Sequence, residues 1–167
     1  VETTPQPLNE TRFRDDFMTV AYYDFKRGVN AYLAATGAPM RSLADIVAFN
    51  AADPAQRAPW GQTLLAASEA HTVTPEAYAE ARERNRAGAR ARIDDLLREA
   101  GCDLLAGTGN ASFIPFAMAG APALTLPLGR RESGEPMGAT LIGRFLEDGE
   151  LVAAGYALEE ALAAGKR

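Results

Sequence analysis

Apolar residues recur along the first hundred positions with the period of a helix. Between Glu10 and Ala35 the positions Phe13, Phe17, Val20, Ala21, Phe25, Val29, Tyr32 and Leu33 follow one another at three and four residues, which predicts a helix with one buried stripe. Gly37 and Pro39 end it. A short helix is expected next, with Ser42 as N-cap and Asp45 at the acidic position of a capping box. It runs through Ile46, Val47 and Phe49 and is broken by Asp53-Pro54. Residues 58–70 (APWGQTLLAASEA) read as another short helix, with Pro59 and Gly61 at its start. Thr74 then caps a long helix, with Pro75 at the first helical position and Glu76 and Glu80 near the positive end of the dipole. This helix reaches Ala100 and stops at Gly101, with Tyr78, Ile93, Leu96 and Leu97 on its inner side.

Beyond Gly101 the period changes. Short apolar runs predict strands over 103–106, 123–128 (ALTLPL) and 138–143 (GATLIG), the last two joined by the polar turn RRESGEP in the manner of a hairpin. Pro127 lacks the N–H that a ladder needs, so it is expected at a strand end or a bulge. The segment DGELVAAGYALEEALAAG predicts a final helix ending at Gly165. Helices around a few late strands define an α/β arrangement, with helices packed on a small mixed sheet in one domain over 1–167. Within it, 1–101 is mainly helical, 102–146 carries the strands and 147–167 is the C-terminal helix. Three strands make a thin sheet, and their open edges call for neighbours supplied by further chain. The polar lead-in over 1–9, with Pro5 and Pro7, reads as extended.

Composition narrows the function classes. At 167 residues, with 47% hydrophobic and 23% charged positions, the chain has the profile of a globular protein able to form a core without a disulfide or metal. A net charge of -5 weighs against nucleic acid or an anionic membrane surface as partner. Arg82, Arg84, Arg86, Arg90 and Arg92 are diluted by Glu80, Glu83, Asp94 and Asp95 and read as a solvated helix face. No run is long enough to span a membrane, and the first residues lack the features of a signal peptide. The chain begins at Val1 without Met, as a processed, excised or trimmed chain would. A single cysteine, Cys102, excludes an intrachain disulfide, with a reducing cytoplasm as the default compartment.

Candidate chemistry is sparse. His71, the only histidine, follows a helix and reads as a surface or capping residue, and Cys102 reads as a small buried side chain. One His and one Cys far apart give no metal-ligand spacing, and no cofactor is expected. GTGN over 107–110 lacks the Lys-Ser/Thr of a P-loop and the third glycine of a dinucleotide fingerprint, so a strand-ending turn is the reading. Asp24 and Lys26 are placed to pair across a helix surface. Trp60 and Gln62 read as a buried anchor and a helix cap, with a position at a cavity wall as the alternative. The adjacent pairs Asp15/Asp16, Asp94/Asp95 and Glu159/Glu160 point about 100° apart on a helix and read as solvated faces, not acid/base couples.

Five segments, in order, carry a wider likeness: YYDFKRGVNAYLA (22–34), RSLADIVAFN (41–50), WGQTLLAA (60–67), and the pair AGAPALTLPLG (119–129) with GEPMGATLIGR (134–144). In that pair Gly120, Gly129 and Gly138 permit tight turns and close backbone approach. With these segments the chain resembles the C-terminal portion of the amidase signature family, which hydrolyses amides to a carboxylic acid and ammonia or an amine. The resemblance implies the C-terminal part of a mixed sheet flanked by helices, in enzymes of several hundred residues. It also implies catalysis by a serine nucleophile, a second serine in a cis peptide and a lysine, all from the first half of the enzyme.

Ser42, Ser68, Ser112 and Ser133 are isolated, and the only lysines are Lys26 and Lys166. No catalytic residue is therefore assigned to the chain, which is expected to complete the sheet and wall the cavity and to be inactive alone. An amide substrate and an N-terminal catalytic half, or a homo-oligomer partner, are the expected partners. Relatives commonly carry a longer Pro-rich loop where only TGNASFIPFAM intervenes here, so substrate class does not carry over. Asn110, Ser112 and Phe113 are the candidate substrate-binding residues, with an ordinary surface loop as the alternative. The second functional class is a free-standing non-catalytic domain that binds a partner or ligand through the surface the first half would cover. An unrelated α/β enzyme using His71 is the third.

Overall fold

The structure is a computed structural model and describes residues 11–109 and 113–164. Its elements are α1 (Thr11–Thr36), α2 (Leu43–Ala51), α3 (Pro54–Arg57), α4 (Thr63–Ala70), α5 (Pro75–Ala100), β1 (Leu105–Thr108), α6 (Phe113–Ala119), β2 (Ala123–Arg130), β3 (Pro136–Ile142) and α7 (Asp148–Ala164). They form two compact units, Asp15–Arg82 and a second made of Val1–Arg14 with Glu83–Arg167, so the division falls inside α1 and α5.

Within Asp15–Arg82, α2 starts as its sequence predicts. Ser42 Oγ accepts from the Asp45 N–H at 3.2 Å, and the Asp45 carboxylate accepts from the Ser42 N–H at 3.0 Å. The same carboxylate accepts from the Arg41 N–H at 2.7 Å. That bond, reinforced by Ser42, outweighs desolvation and holds the Asp45 pKa below its ordinary value. Asn30 Oδ1 accepts from the Leu43 N–H at 2.7 Å, tying the buried start of α2 to α1. The helix expected over 58–70 begins only at Thr63, because Pro59 and Gly61, the latter at φ 79°, hold the preceding residues out of helical geometry. At the start of α5 the Ala77 N–H donates to Thr74 Oγ1 at 3.2 Å, as a cap should.

In the other unit, α5 ends at Gly101 (φ 61°), and the Cys102 N–H returns to the Leu97 carbonyl at 3.0 Å. The three strands form an antiparallel sheet in the order β1-β3-β2, where a mixed sheet was expected. Leu105 and Ala123 both lie opposite Ile142, and Thr125 lies opposite Thr140. The first strand begins two residues later than the apolar run predicts and extends to Thr108. The ladder is irregular between Pro127 and Gly129, where the missing proline donor led us to expect a break.

Strand alternation sorts the core into two layers. Ile142 and Leu105 join Ile93, Leu96 and Leu97 of α5 and Ala119 of α6. Leu141, next in sequence but on the other face, joins Leu126 of β2 and Leu151 of α7. The sheet is thus covered by α5 and α6 on one side and by α7 on the other. The one-turn α3 and the helix α6 are additions that the hydrophobic pattern did not reveal.

Candidate functional site

The sheet end from which the candidate loop departs is built around Thr140. Its hydroxyl donates to the Gly109 carbonyl and lies 2.9 Å from the Thr125 hydroxyl across the β2–β3 pair. Thr140 is buried, so this network replaces the water its hydroxyl gives up. The Gly109 N–H donates to the Gly138 carbonyl at 2.8 Å, so the residue that closes β1 is held to β3 through both of its peptide groups. Gly138 permits the approach. A Cβ there would stand 2.9 Å from Thr125 Cγ2 and 3.3 Å from the Leu126 carbonyl oxygen.

Of the candidate substrate-binding residues, Asn110 and Ser112 lie outside the described residues, and Phe113 opens α6. What the structure shows is their mounting: a strand end fixed to the sheet on one side and a helix on the other.

The remaining chemistry-bearing side chains hold structural positions. In the Asp15–Arg82 unit Lys26 does not pair with Asp24. Its ammonium reaches Glu69, at 3.0 Å from the carboxylate and 2.5 Å from the backbone carbonyl, because α4 presents both groups to it. Asp24 instead accepts from the Tyr78 hydroxyl at 3.2 Å. Partial burial, followed by that carboxylate, raises the Tyr78 pKa above its ordinary value. His71 Nδ1 accepts from the Val73 N–H at 3.1 Å and shapes the turn into α5, while its Nε2 is buried without a hydrogen-bond partner among the described residues. Ser68 donates back to the Leu64 carbonyl at 2.8 Å.

Trp60 is 97% exposed and anchors nothing among the described residues. Gln62 occupies the N-cap position of α4 without capping it. Its amide instead donates to the Val47 carbonyl at 3.1 Å and accepts from Asn50 at 3.3 Å. In the other unit Cys102 is half-buried, its thiol 3.4 Å from the Ala100 carbonyl. Among the described residues no group of three His, Cys, Asp or Glu side chains is placed to hold a metal ion, and no helix is long and apolar enough to cross a membrane.

Helices on both faces of a small antiparallel sheet define the class as α/β. No family model matches the sequence. A probable amidase of Arabidopsis thaliana is 29% identical over 141 residues, 83% of this chain and 28% of that protein. One of the subunits of the glutamyl-tRNA(Gln) amidotransferase of Gluconobacter oxydans is 48% identical over 50 residues, 30% of this chain and 10% of that protein. Among solved structures, native peptide amidase from Stenotrophomonas maltophilia superposes with a TM-score of 0.77 at 31% identity, over 90% of this chain and 34% of that one. The chain is related to the amidase signature family and matches a part of its hydrolases. It spans about a third or less of the length of these relatives.

Proposed function

We propose that the chain is the C-terminal part of an amide hydrolase that converts a carboxylic amide to an acid and ammonia or an amine. In this reading it completes the sheet and walls the substrate cavity, with Asn110, Ser112 and Phe113 toward the substrate. The serine-serine-lysine machinery belongs to an N-terminal catalytic half, and the chain is inactive alone. The observation that carries the reading is the match to peptide amidase, which takes in 90% of this chain but only 34% of that enzyme. The commitments of Lys26, Ser42 and Ser68 to structural bonds support it. The assembled enzyme is cytoplasmic and engages neither nucleic acid nor membrane.

The test is ammonia release from small primary amides. The purified chain is expected to be inert, and the chain joined to the polypeptide encoded immediately upstream to be active. Turnover by the purified chain alone overturns the division of labour.

A second reading is a non-catalytic interaction or ligand-binding domain derived from an amidase. It is favoured by Val152 and Tyr156, 63% and 66% exposed and one turn apart on α7, together with the unpaired outer edges of β1 and β2 among the described residues. It predicts a homo-oligomer or a heteromer. A strictly monomeric species in sedimentation at high concentration counts against it.

A further inference from the structure

The helix α7 meets the sheet through one side only. Leu151, Ala154 and Leu158 pack with Leu126 and Leu141, and Gly155 lies against Leu124. At 100° per residue, Val152 and Tyr156 fall one turn apart on the side away from that contact, 63% and 66% exposed. Leu146, two residues ahead of the helix, is 76% exposed and held at φ 69°, a left-handed conformation unfavourable for a leucine. Three large apolar side chains thus stay in water within one short stretch, as at a surface that receives another molecule.

Charge indicates which molecule. Up to Ala164 the helix carries the carboxylates of Asp148, Glu150, Glu159 and Glu160 and no basic residue. All are exposed, and none is ion-paired among the described residues. Asp148 and Glu150 suit the positive end of the helix dipole. Glu159 and Glu160 lie in the second half of the helix, where the dipole gives a carboxylate nothing, so no interaction among the described residues accounts for them. They stand three and four residues beyond Tyr156, one on each side of the line through Val152 and Tyr156.

We propose that this face of α7 docks an amphipathic helix of a partner protein whose apolar stripe is bordered by lysines or arginines. The stripe covers Val152 and Tyr156, and the basic borders meet Glu159 on one side and Glu160 on the other. A second copy of the chain sets acid against acid whether two α7 helices run parallel or antiparallel, and an anionic lipid surface is repelled for the same reason. The proposal rests on the interaction role already given to the α7 face and not on amide hydrolysis, so its failure in a binding assay leaves the hydrolase reading untouched.

The test is an NMR titration of the ¹⁵N-labelled 167-residue chain with three synthetic peptides: a Leu/Lys amphipathic helix, the same residues scrambled so that no apolar stripe forms, and a Leu/Glu amphipathic helix. The first is expected to give saturable shifts at Val152, Tyr156, Glu159 and Glu160. The other two should bind at least about tenfold more weakly, one for want of the stripe and one for want of the charge. Val152→Ser with Tyr156→Ser should abolish the shifts; both side chains are exposed, so the fold is kept, and the rest of the spectrum checks that it is. Glu159→Gln with Glu160→Gln should weaken binding about fivefold and flatten its dependence on salt. No saturable shift, equal binding of the scrambled peptide, shifts that avoid α7, or binding unaffected by either pair of substitutions overturns the proposal. Concentration-dependent shifts at Val152 and Tyr156 without peptide put a second copy on the face, and loss of peptide binding in the chain joined to the polypeptide encoded upstream puts that polypeptide there; either result overturns it.

Discussion

Gly155 lies where α7 crosses β2, and substituting it by alanine sets two effects against each other. In a helix interior the change gains about 1 kcal/mol of propensity. The new Cβ, however, overlaps Leu124 Cδ2 and comes within 3.5 Å of Leu124 Cγ and 3.9 Å of Leu126 Cδ1. Leu124 packs against the buried cluster of Leu126, Leu141 and Leu151, so its methyl cannot swing aside without giving up packing. Overpacking of this kind costs about 1–3 kcal/mol. Packing therefore wins, and Gly155→Ala should destabilise the chain by about 1 kcal/mol net. In a Leu124→Ala background the obstacle is gone and the same substitution should stabilise by about 1 kcal/mol. The assay is a double-mutant cycle, with urea unfolding followed by circular dichroism and native-state hydrogen exchange at β3 amides as a local readout. A change of the same sign in both backgrounds would refute the argument that α7 is held to the sheet through a position that must lack a side chain.

Three further outcomes are expected. Asn85 is 0% exposed within α5 and neither of its amide atoms has a hydrogen-bond partner among the described residues; Asn85→Ala should thus be neutral or stabilising by up to about 2 kcal/mol in thermal unfolding, where a satisfied buried amide would lose stability. Thr140→Val keeps the shape but removes the hydroxyl shared with Gly109 and Thr125, so it should cost about 1–3 kcal/mol and speed hydrogen exchange at Gly109, with Thr125→Val milder because Thr125 is exposed. Asp45 has a folded-state pKa below its ordinary value, chiefly through the Arg41 N–H, so its contribution to stability is present above the unfolded pKa and lost as pH falls through the folded one. Acid titration of unfolding should therefore be less steep for Asp45→Asn than for the parent chain, and equal slopes would contradict the assignment.

What the sequence disclosed and what it hid have physical reasons. The Ser42–Asp45 box, the Thr74 cap and the Pro127 irregularity were legible because each depends on one residue type acting on its own backbone within a few positions. The start of β1 was displaced because an apolar run marks burial, whereas pairing to β3 decides which of its residues become strand. The helix α6 was hidden inside TGNASFIPFAM because a seven-residue helix depends on tertiary packing more than on propensity. Side-chain partners across elements were hardest to see. Lys26 was expected beside Asp24, but side chains two apart diverge around a helix, and Glu69 of α4 takes it. Arg90 and Asp94 were grouped with a solvated face, yet both line an open cleft with Arg144 and Glu147 of the turn after β3. The candidate loop itself was placed by punctuation between strands, and its mounting through Thr140 depends on a cross-strand partner that sequence spacing does not reveal.

These reassignments bear on where chemistry can reside. A nucleophile needs a free lone pair beside a base that can take its proton. Ser42 is occupied in its capping box and Ser68 donates back into its own helix. Lys26 is bound twice by Glu69, and His71 uses one ring nitrogen on the Val73 N–H. Releasing any of them would cost a cap, an ion pair or a turn. These four side chains thus hold structural bonds, which is what the proposed division of an amide hydrolase asks of them.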